Sequence, residues 1–254
     1  MRTQRFFVIS DPQIGNDFQE RMMKKKTEDV LRTATKDDVV LIPGDLTDHG
    51  VGPVDNKFML YFGYCICFRK KGQVPSRNEL DVLHTQYIRP LQEKCRDVLM
   101  CIGNHDTYTQ FWWGEQAPAK YVKKENGGLI YKKDANGILV FSLSIHPTQK
   151  NIAWLDQELA ETDAPFVVFF HYNTKGAYSD WWSDKEKDLL ENVLKKYKSR
   201  LCFIAEGHKH LSYKTTWRDF PVVNAAGSHA VVVDVTFDPV QNILDRNSRI
   251  LESR

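Results

Sequence analysis

Residues able to do chemistry recur at one kind of place along this chain, where a short apolar run stops. Val98-Leu99-Met100-Cys101-Ile102 gives way to Gly103-Asn104-His105-Asp106, and Phe6-Phe7-Val8-Ile9-Ser10 to Asp11-Pro12-Gln13. Val39-Val40-Leu41-Ile42-Pro43 leads into Gly44-Asp45-Leu46-Thr47-Asp48, Phe166-Val167-Val168-Phe169-Phe170 into His171-Tyr172-Asn173, and Leu201-Cys202-Phe203-Ile204-Ala205-Glu206 into Gly207-His208-Lys209-His210. Any one of these tips is a turn or a satisfied polar residue on its own, because turns favour Gly and Asp. Together, Asp11, Gln13, Asp45, Asn104, His171, His208 and His210 offer oxygen and nitrogen donors and no thiolate, which suits Mn, Fe, Zn or Mg rather than a structural zinc. Seven donors exceed a four-coordinate site, and one carboxylate can bridge two ions roughly 3.5–4 Å apart, the spacing of two-metal hydrolytic centres.

A continuous apolar run bounded by Gly is the pattern of a strand in a parallel or mixed sheet covered on both faces, where ligands gather beyond the carboxyl ends of the strands. Five such runs predict five ligand-bearing loops on one rim of one sheet. Asp17 to Thr35 carries helix formers with Met22, Val30 and Leu31 as apolar positions, a crossover helix completing a βαβ unit, with Lys24-Lys25-Lys26 on its solvated face. The stretch at about 50–96 is longer than a crossover needs and reads as a helical insert: aromatic-rich Phe58 to Tyr64, a basic Gly/Pro-containing loop, then a helical pattern from Asn78 to Lys94. Tyr108, Phe111, Trp112 and Trp113 follow the third tip, and core packing and a substrate wall both fit them.

From Gly128 the pattern turns to strands and a second sheet begins, with Asp134-Ala135-Asn136-Gly137 as a hairpin turn. A helix starts near Asn151 on a Trp154, Leu155, Leu159 face. Ser183 to Tyr197 reads as another, Ser183 capping it and Glu186 completing a capping box. Tyr213 to Phe237 is short strands with turns at Arg218-Asp219 and Ala226-Gly227.

With 254 residues, 42% hydrophobic residues, 6 Trp, 10 Tyr and 14 Phe, the chain can fill a sizeable core as a single domain over 1–254. The balance of 35 basic against 33 acidic residues leaves +2, no global reason to expect a nucleic-acid polymer or an anionic membrane as partner. Five Cys at irregular spacing read as reduced core residues, Cys65-Ile66-Cys67 lacking the second pair a zinc site needs. Met1 to Arg5 lead straight into the first strand, with no signal-peptide core and no membrane-spanning stretch, so a cytoplasmic location is expected.

Asp11-Pro12-Gln13, Gly44-Asp45-Leu46-Thr47-Asp48, Gly103-Asn104-His105-Asp106, His171 and Gly207-His208-Lys209-His210 stand in order over residues 11–210. This set resembles the calcineurin-like metallophosphoesterase superfamily, whose motifs run Asp-x-His, Gly-Asp-x-x-Asp, Gly-Asn-His-Asp/Glu, a lone His and Gly-His-x-His. The resemblance implies an α/β fold, a four-layer α/β/β/α sandwich with two mixed β-sheets and a dinuclear site at one rim. It also implies one metal on Asp11, Gln13, Asp45 and His210, and a second on Asp45, Asn104, His171 and His208, with Asp45 as the bridge. Gln13 stands where His is usual; its neutral amide weakens the claim of zinc, so Mn is favoured, with Mg, Fe or Zn as alternatives.

By the same resemblance a bridging hydroxide attacks the phosphorus, and His105 stabilises a phosphoryl oxygen or protonates the leaving alkoxide, oriented by Asp48 or Asp106. His49 and His146 are candidate substrate contacts beside Tyr108 and Trp112, while His84 and His229 read as structural. Lys209 is expected to point away from the ligands on either side of it. The expected activity is hydrolysis of a small organic phosphate or nucleotide, with no obligate protein partner. The rivals are a catalytically inactive scaffold that binds a protein, and a membrane-docking lipid-phosphate hydrolase.

Overall fold

Side-chain alternation along β1 (Arg2–Val8) decides the order of the layers. Phe6 and Val8 point to one face and Phe7 and the following Ile9 to the other, and all four are buried, so this strand has a hydrophobic layer on each side. The computed structural model of the chain describes residues 2–50, 79–107, 117–238 and 243–251. Among them, β1, β2 (Val39–Pro43) and β3 (Asp97–Cys101) run parallel. Antiparallel β10 (Val231–Asp238) and β11 (Ile243–Ile250) extend this sheet to the order β11-β10-β1-β2-β3. The second sheet has the order β4-β5-β6-β7-β9-β8, from β4 (Ile130–Ala135), β5 (Ile138–Leu143), β6 (Phe166–Phe169), β7 (Leu201–Glu206), β8 (Ser212–Trp217) and β9 (Phe220–Ala225). β5, β6, β7 and β9 run parallel, with β4 and β8 antiparallel at the edges.

The sheets meet through Phe6, Val8, Leu41, Leu99 and Cys101 on one side and Val140, Val167, Phe169, Phe203 and Val223 on the other. The outer face of the first sheet, with Phe7, Val40, Ile42 and Met100, is covered by α1 (Asp17–Thr33), by α2 (Glu79–Leu83) and α3 (Arg89–Lys94) joined through a π-helical turn, and by α4 (Ala117–Asn126). The outer face of the second, with Phe141, Phe166, Val168 and Ile204, packs on α5 (Gln149–Ala160) and α6 (Asp184–Lys196). This is the expected α/β/β/α sandwich. Each large apolar side chain sealed in these layers contributes about 1.5–3 kcal/mol by leaving water.

The five tips do not share one sheet. Three come from β1, β2 and β3 and two from β6 and β7 of the other sheet, which meet at one rim because the sheets pack with their parallel strands' carboxyl ends together. An apolar run covered on both faces looks the same in either sheet, so the run itself carries no sheet assignment.

Other expectations meet the structure locally. Ser183 and Glu186 form the capping box that starts α6, and Asn136 and Gly137 take φ of 58° and 87° to close the β4–β5 hairpin. Met23 rather than Met22 is buried on α1, and Lys26, expected in solvent, is fully buried. Helix over 79–94 agrees with the pattern read from Asn78 to Lys94; the aromatic stretch 58–64, Cys65 and Cys67 lie outside the described residues.

Candidate metal centre

Close approach of the strand tips begins with two glycines. A Cβ on Gly103 would collide with Asp45 Oδ1 and N, and one on Gly207 with Ser10 Oγ, Asp11 Oδ2 and Pro43 O. Only a residue without a side chain lets these loops converge. The backbone at the site is also strained. Ten described non-glycine residues have positive φ, three of them (Asn136, Arg218, Asp219) in hairpin turns; five of the other seven are Asp11, Gln13, Asp45, His208 and His210. Left-handed conformations cost roughly 1–3 kcal/mol each and persist where surrounding structure enforces them, typically at functional sites.

Those side chains converge. Donor atoms of Asp45, His171 and His208 all lie within 4.8 Å of one another, and so do those of Asp11, Asp45 and His210. Asp45 is common to both groups. Gln13 adds its amide at 3.1 Å from Asp45 Oδ2 and 3.3 Å from His210 Nε2, and Asn104 Oδ1 lies 3.0 Å from His171 Nε2. The structure therefore brings all seven predicted donors to one place. His208 Nε2 is buried without a hydrogen-bond partner, an orphan that a cation in the Asp45–His171–His208 group would satisfy. The donor set fits divalent ions.

Electrostatics point the same way. Burial works against ionised Asp45, but His171 and His105 outweigh it and hold the carboxyl far below the usual carboxylate range. Burial and the neighbouring His171 charge push His208 down to about 4, which keeps it neutral and able to ligate. Burial opposes charge on His171 as well, yet the Asp45 carboxylate at 3.3 Å raises it to about 9.

Each half has its own support. His171 Nδ1 lies 2.9 Å from the carbonyl of Pro43, which fixes its ring. In the other half, Ser10 Oγ donates to Asp11 Oδ2 at 2.6 Å, and Gln19 Nε2 lies 3.1 Å from His210 Nδ1. Beneath Asp11, Lys26 Nζ donates to the carbonyls of Ser10 and, at 3.2 Å, Ala225. Burial brings this ammonium down to about 8, with Asp11 pulling it upward.

His105 stands half-buried at the mouth, its backbone N–H donating to Asp45 Oδ1 at 2.9 Å. Its Nδ1 is 3.1 Å from Asp48 Oδ1 and 3.0 Å from Asp48 O. Burial lowers its basicity, but Asp48 and Asp45 prevail and raise it to about 9. Asp106 does not meet the ring: its carboxylate accepts from Gly103 N, Leu46 N, Thr47 N and Thr47 Oγ1, tying the second and third tips together. Burial is the main reason it rises to about 6. Orientation of His105 thus falls to Asp48.

Behind Asp48 the line continues. His49 Nε2 lies 3.6 Å from Asp48 Oδ2, and His49 Nδ1 2.5 Å from Glu79 Oε1. Burial raises Glu79, and at His49 the bond to Glu79 overcomes burial, so the pair holds its proton tightly. His49, expected as a substrate contact, is instead buried within this pair. His146, the other histidine so expected, stacks on Tyr172 at 5.5 Å and lies outside the set of residues lining the cleft. Tyr108 and Trp112 fall outside the described residues.

The cleft over the site measures about 280 Å³ and is lined by Asp45, Asn104, His105, Tyr178, Trp181, His208, Lys209 and His210. Lys209 sends its ammonium away from the donors, 5.5 Å over the Tyr213 ring. A larger cleft of about 600 Å³ lies at the amino ends of β1, β6 and β7 and holds none of the seven donors. Tyr178 and Trp181, absent from the expected site residues, had a signal in the sequence: Tyr178-Ser179-Asp180-Trp181-Trp182 follows a ligand-bearing tip, as the aromatic run Tyr108, Phe111, Trp112 and Trp113 does. Lys26 also had a signal: positions 19, 23, 26, 27 and 30 share one helix face with the buried Met23 and Val30.

The profile of the calcineurin-like phosphoesterase family matches residues 4–212. The chain belongs to that family. A dimetal phosphatase from Danio rerio superposes with a TM-score of 0.58 at 11% identity, covering 98% of both chains. GAP50, described as the anchor in the inner membrane complex of Plasmodium, gives 0.54 at 11% identity, over 100% of this chain and 90% of that one. A 5′-nucleotidase structure from Staphylococcus aureus, described as putative in its own right, gives 0.56 at 14% identity; this chain is covered over 98% but spans only 54% of that protein. At these identities the likeness is one of fold. No curated protein matches the sequence. Among the described residues no helix is long and apolar enough to cross a membrane.

Proposed function

We propose that the protein hydrolyses the phosphate ester of a small organic phosphate or nucleotide with two divalent ions, manganese foremost, held at this rim. The observation that carries the reading is the sharing of Asp45 between two compact donor groups. One ion would sit on Asp11, Gln13, Asp45 and His210, the other on Asp45, Asn104, His171 and His208. When bound, the ions supply Lewis-acid stabilisation of the phosphoryl oxygens and lower the pKa of water toward neutrality.

The chain's own groups do the rest. Asp48 engages Nδ1 of His105, so Nε2 holds the proton destined for the leaving alkoxide, and a pKa near 9 keeps that proton in place at neutral pH. Asp106 holds the Gly44 and Gly103 loops in register through four hydrogen bonds, which fixes Asp45 against His105. A cytoplasmic location fits the buried free thiols of Cys95, Cys101 and Cys202.

The test is turnover of para-nitrophenyl phosphate beside its bis(para-nitrophenyl) diester, after chelation and after return of Mn²⁺, Mg²⁺ or Zn²⁺. Metal-restored turnover that Asp45→Asn abolishes is expected. Silence on both esters with metal demonstrably bound would overturn the hydrolytic reading in favour of a scaffold.

A further inference from the structure

Five large hydrophobic side chains are exposed among the described residues, and two of them, Tyr178 and Trp181, stand in the wall of the cleft over the metal centre. These two stand out because their loop is built to present them. Tyr178 has φ 66° and ψ 7°, the left-handed region that an aromatic residue avoids, and it remains 53% exposed. Burial does not compensate that strain. With the hairpin turns set aside, it joins the strained donors and Ser144 as one of seven such residues.

The next residues show how the loop is held. Trp182 is buried, its Nε1–H donating to Asn173 O at 3.1 Å. Asn173 in turn donates to Lys175 O at 2.9 Å and Ala177 O at 2.7 Å, and the α6 capping box follows at Ser183. One tryptophan anchors while its neighbour, 47% exposed, is offered to the cleft. The Trp181 ring packs 4.6 Å from the His208 ring and edge-on to Tyr172 at 5.4 Å, and Tyr178 lies 5.5 Å from His208. A ligand phosphate at Asp45 and His208 would bring the group it esterifies against these two rings.

We propose that Tyr178 and Trp181 form a stacking face for a flat aromatic or heteroaromatic ring carried by the leaving alcohol, the base of a nucleotide being the fitting class. This rests on the phosphoester reading of the site. Stacking is favoured over attachment to a lipid surface because the rings line the same cleft as Asn104 and His105, where they meet a molecule already bound there.

The experiment compares adenosine 5′-monophosphate with ribose 5-phosphate, which share the sugar, the phosphate and the scissile bond and differ in the base. Dissociation constants are measured by calorimetry on Mn²⁺-loaded His105→Ala protein, in which turnover is slow. The expected result is an affinity about tenfold or more in favour of the nucleotide. Trp181→Ala and Tyr178→Ala, each shown folded by circular dichroism, cut that preference to about twofold or less, and Trp181→Phe restores most of it. Equal affinities for the two esters before any change to the rings overturn the proposal. So does an equal loss for both ligands in Trp181→Ala, which marks the ring as a prop for His208. Equal affinities with Trp181-dependent binding to phosphatidylserine vesicles overturn it in favour of membrane docking. Chelation and metal return on para-nitrophenyl phosphate judge the hydrolytic reading separately and can fail while the nucleotide preference holds.

Discussion

The two halves of the donor cluster share Asp45 and are otherwise built by opposite means. The Asn104–His171–His208 half is closed: the His171 side chain is fully buried, its two nitrogens facing Pro43 O and Asn104 Oδ1 at 2.9 and 3.0 Å. In the Asp11–Gln13–His210 half, the His210 side chain is 42% exposed, its Nε2 3.4 Å from Asp11 Oδ1 and 3.3 Å from the Gln13 amide and its Nδ1 3.1 Å from the Gln19 amide. The open half also lies over a buried ammonium, Lys26, which offsets part of the Asp11 charge that a cation would seek. Preorganisation and local charge both differ across about one residue's width, so the halves should hold metal unequally, the closed half more tightly.

Breaking what the halves share gives the largest effect. Asp45→Asn lowers metal-restored phosphatase activity on the order of 10³-fold or more while circular dichroism stays native; retention of activity would remove Asp45 as the common ligand.

Lys26 sharpens the contrast through pH. A base whose folded pKa lies below its unfolded value costs stability below the folded pKa, and the cost fades as pH rises toward the unfolded value. For Lys26 the window runs from about 8 to 10.5. In chelated protein, wild type should gain up to about 3 kcal/mol over Lys26→Met between pH 7 and pH 10.5, measured by urea unfolding. A difference that does not change with pH would show that Lys26 is not held in the folded state as described.

Removing one imidazole from each half tests the inequality itself. His171→Ala should weaken Mn²⁺ binding on the order of 100-fold and His210→Ala on the order of 10-fold, read by calorimetry. Equal losses would erase the distinction. The smallest effect belongs to the line behind His105. Glu79→Gln frees His49 to reorient and should lower kcat by about tenfold or less with KM unchanged, a split that general disruption would not give.

Much of the centre is legible in the sequence because every tip follows an apolar run, and three of them open on a glycine, Gly44, Gly103 or Gly207, that the close approach of the loops demands. Gly103 and Gly207 are where the loops touch, so their presence in the motifs reports the contact directly. The capping box at Ser183 and the Asn136-Gly137 turn were legible because their determinants lie within four residues. The division of the tips between two sheets was not, since it is set by which runs pair across distance. β11 was missed because its solvent-facing Asp245, Arg246 and Asn247 hide a strand inside a polar tail. Lys26 was misplaced because its neighbours suggested a charged face, where helical phase should have ruled. The orienting partner of His105 was undecided between Asp48 and Asp106 because both lie near it in the motifs, and only the folded loops show Asp106 spent on backbone N–H groups.

Because Asp11, Asp45 and Asn104 arrive on one sheet and His171, His208 and His210 on the other, a metal ion held by them would act as a clasp across the sandwich. Neither sheet alone presents the complete set, so tight binding must follow the docking of the two sheets during folding. Ion binding then adds its free energy to that docking step, about 4 kcal/mol when free metal stands at 1,000 times its dissociation constant. Metal capture would therefore fall in the last stage of assembly, and chelator added during refolding should speed the unfolding of whatever state has already closed.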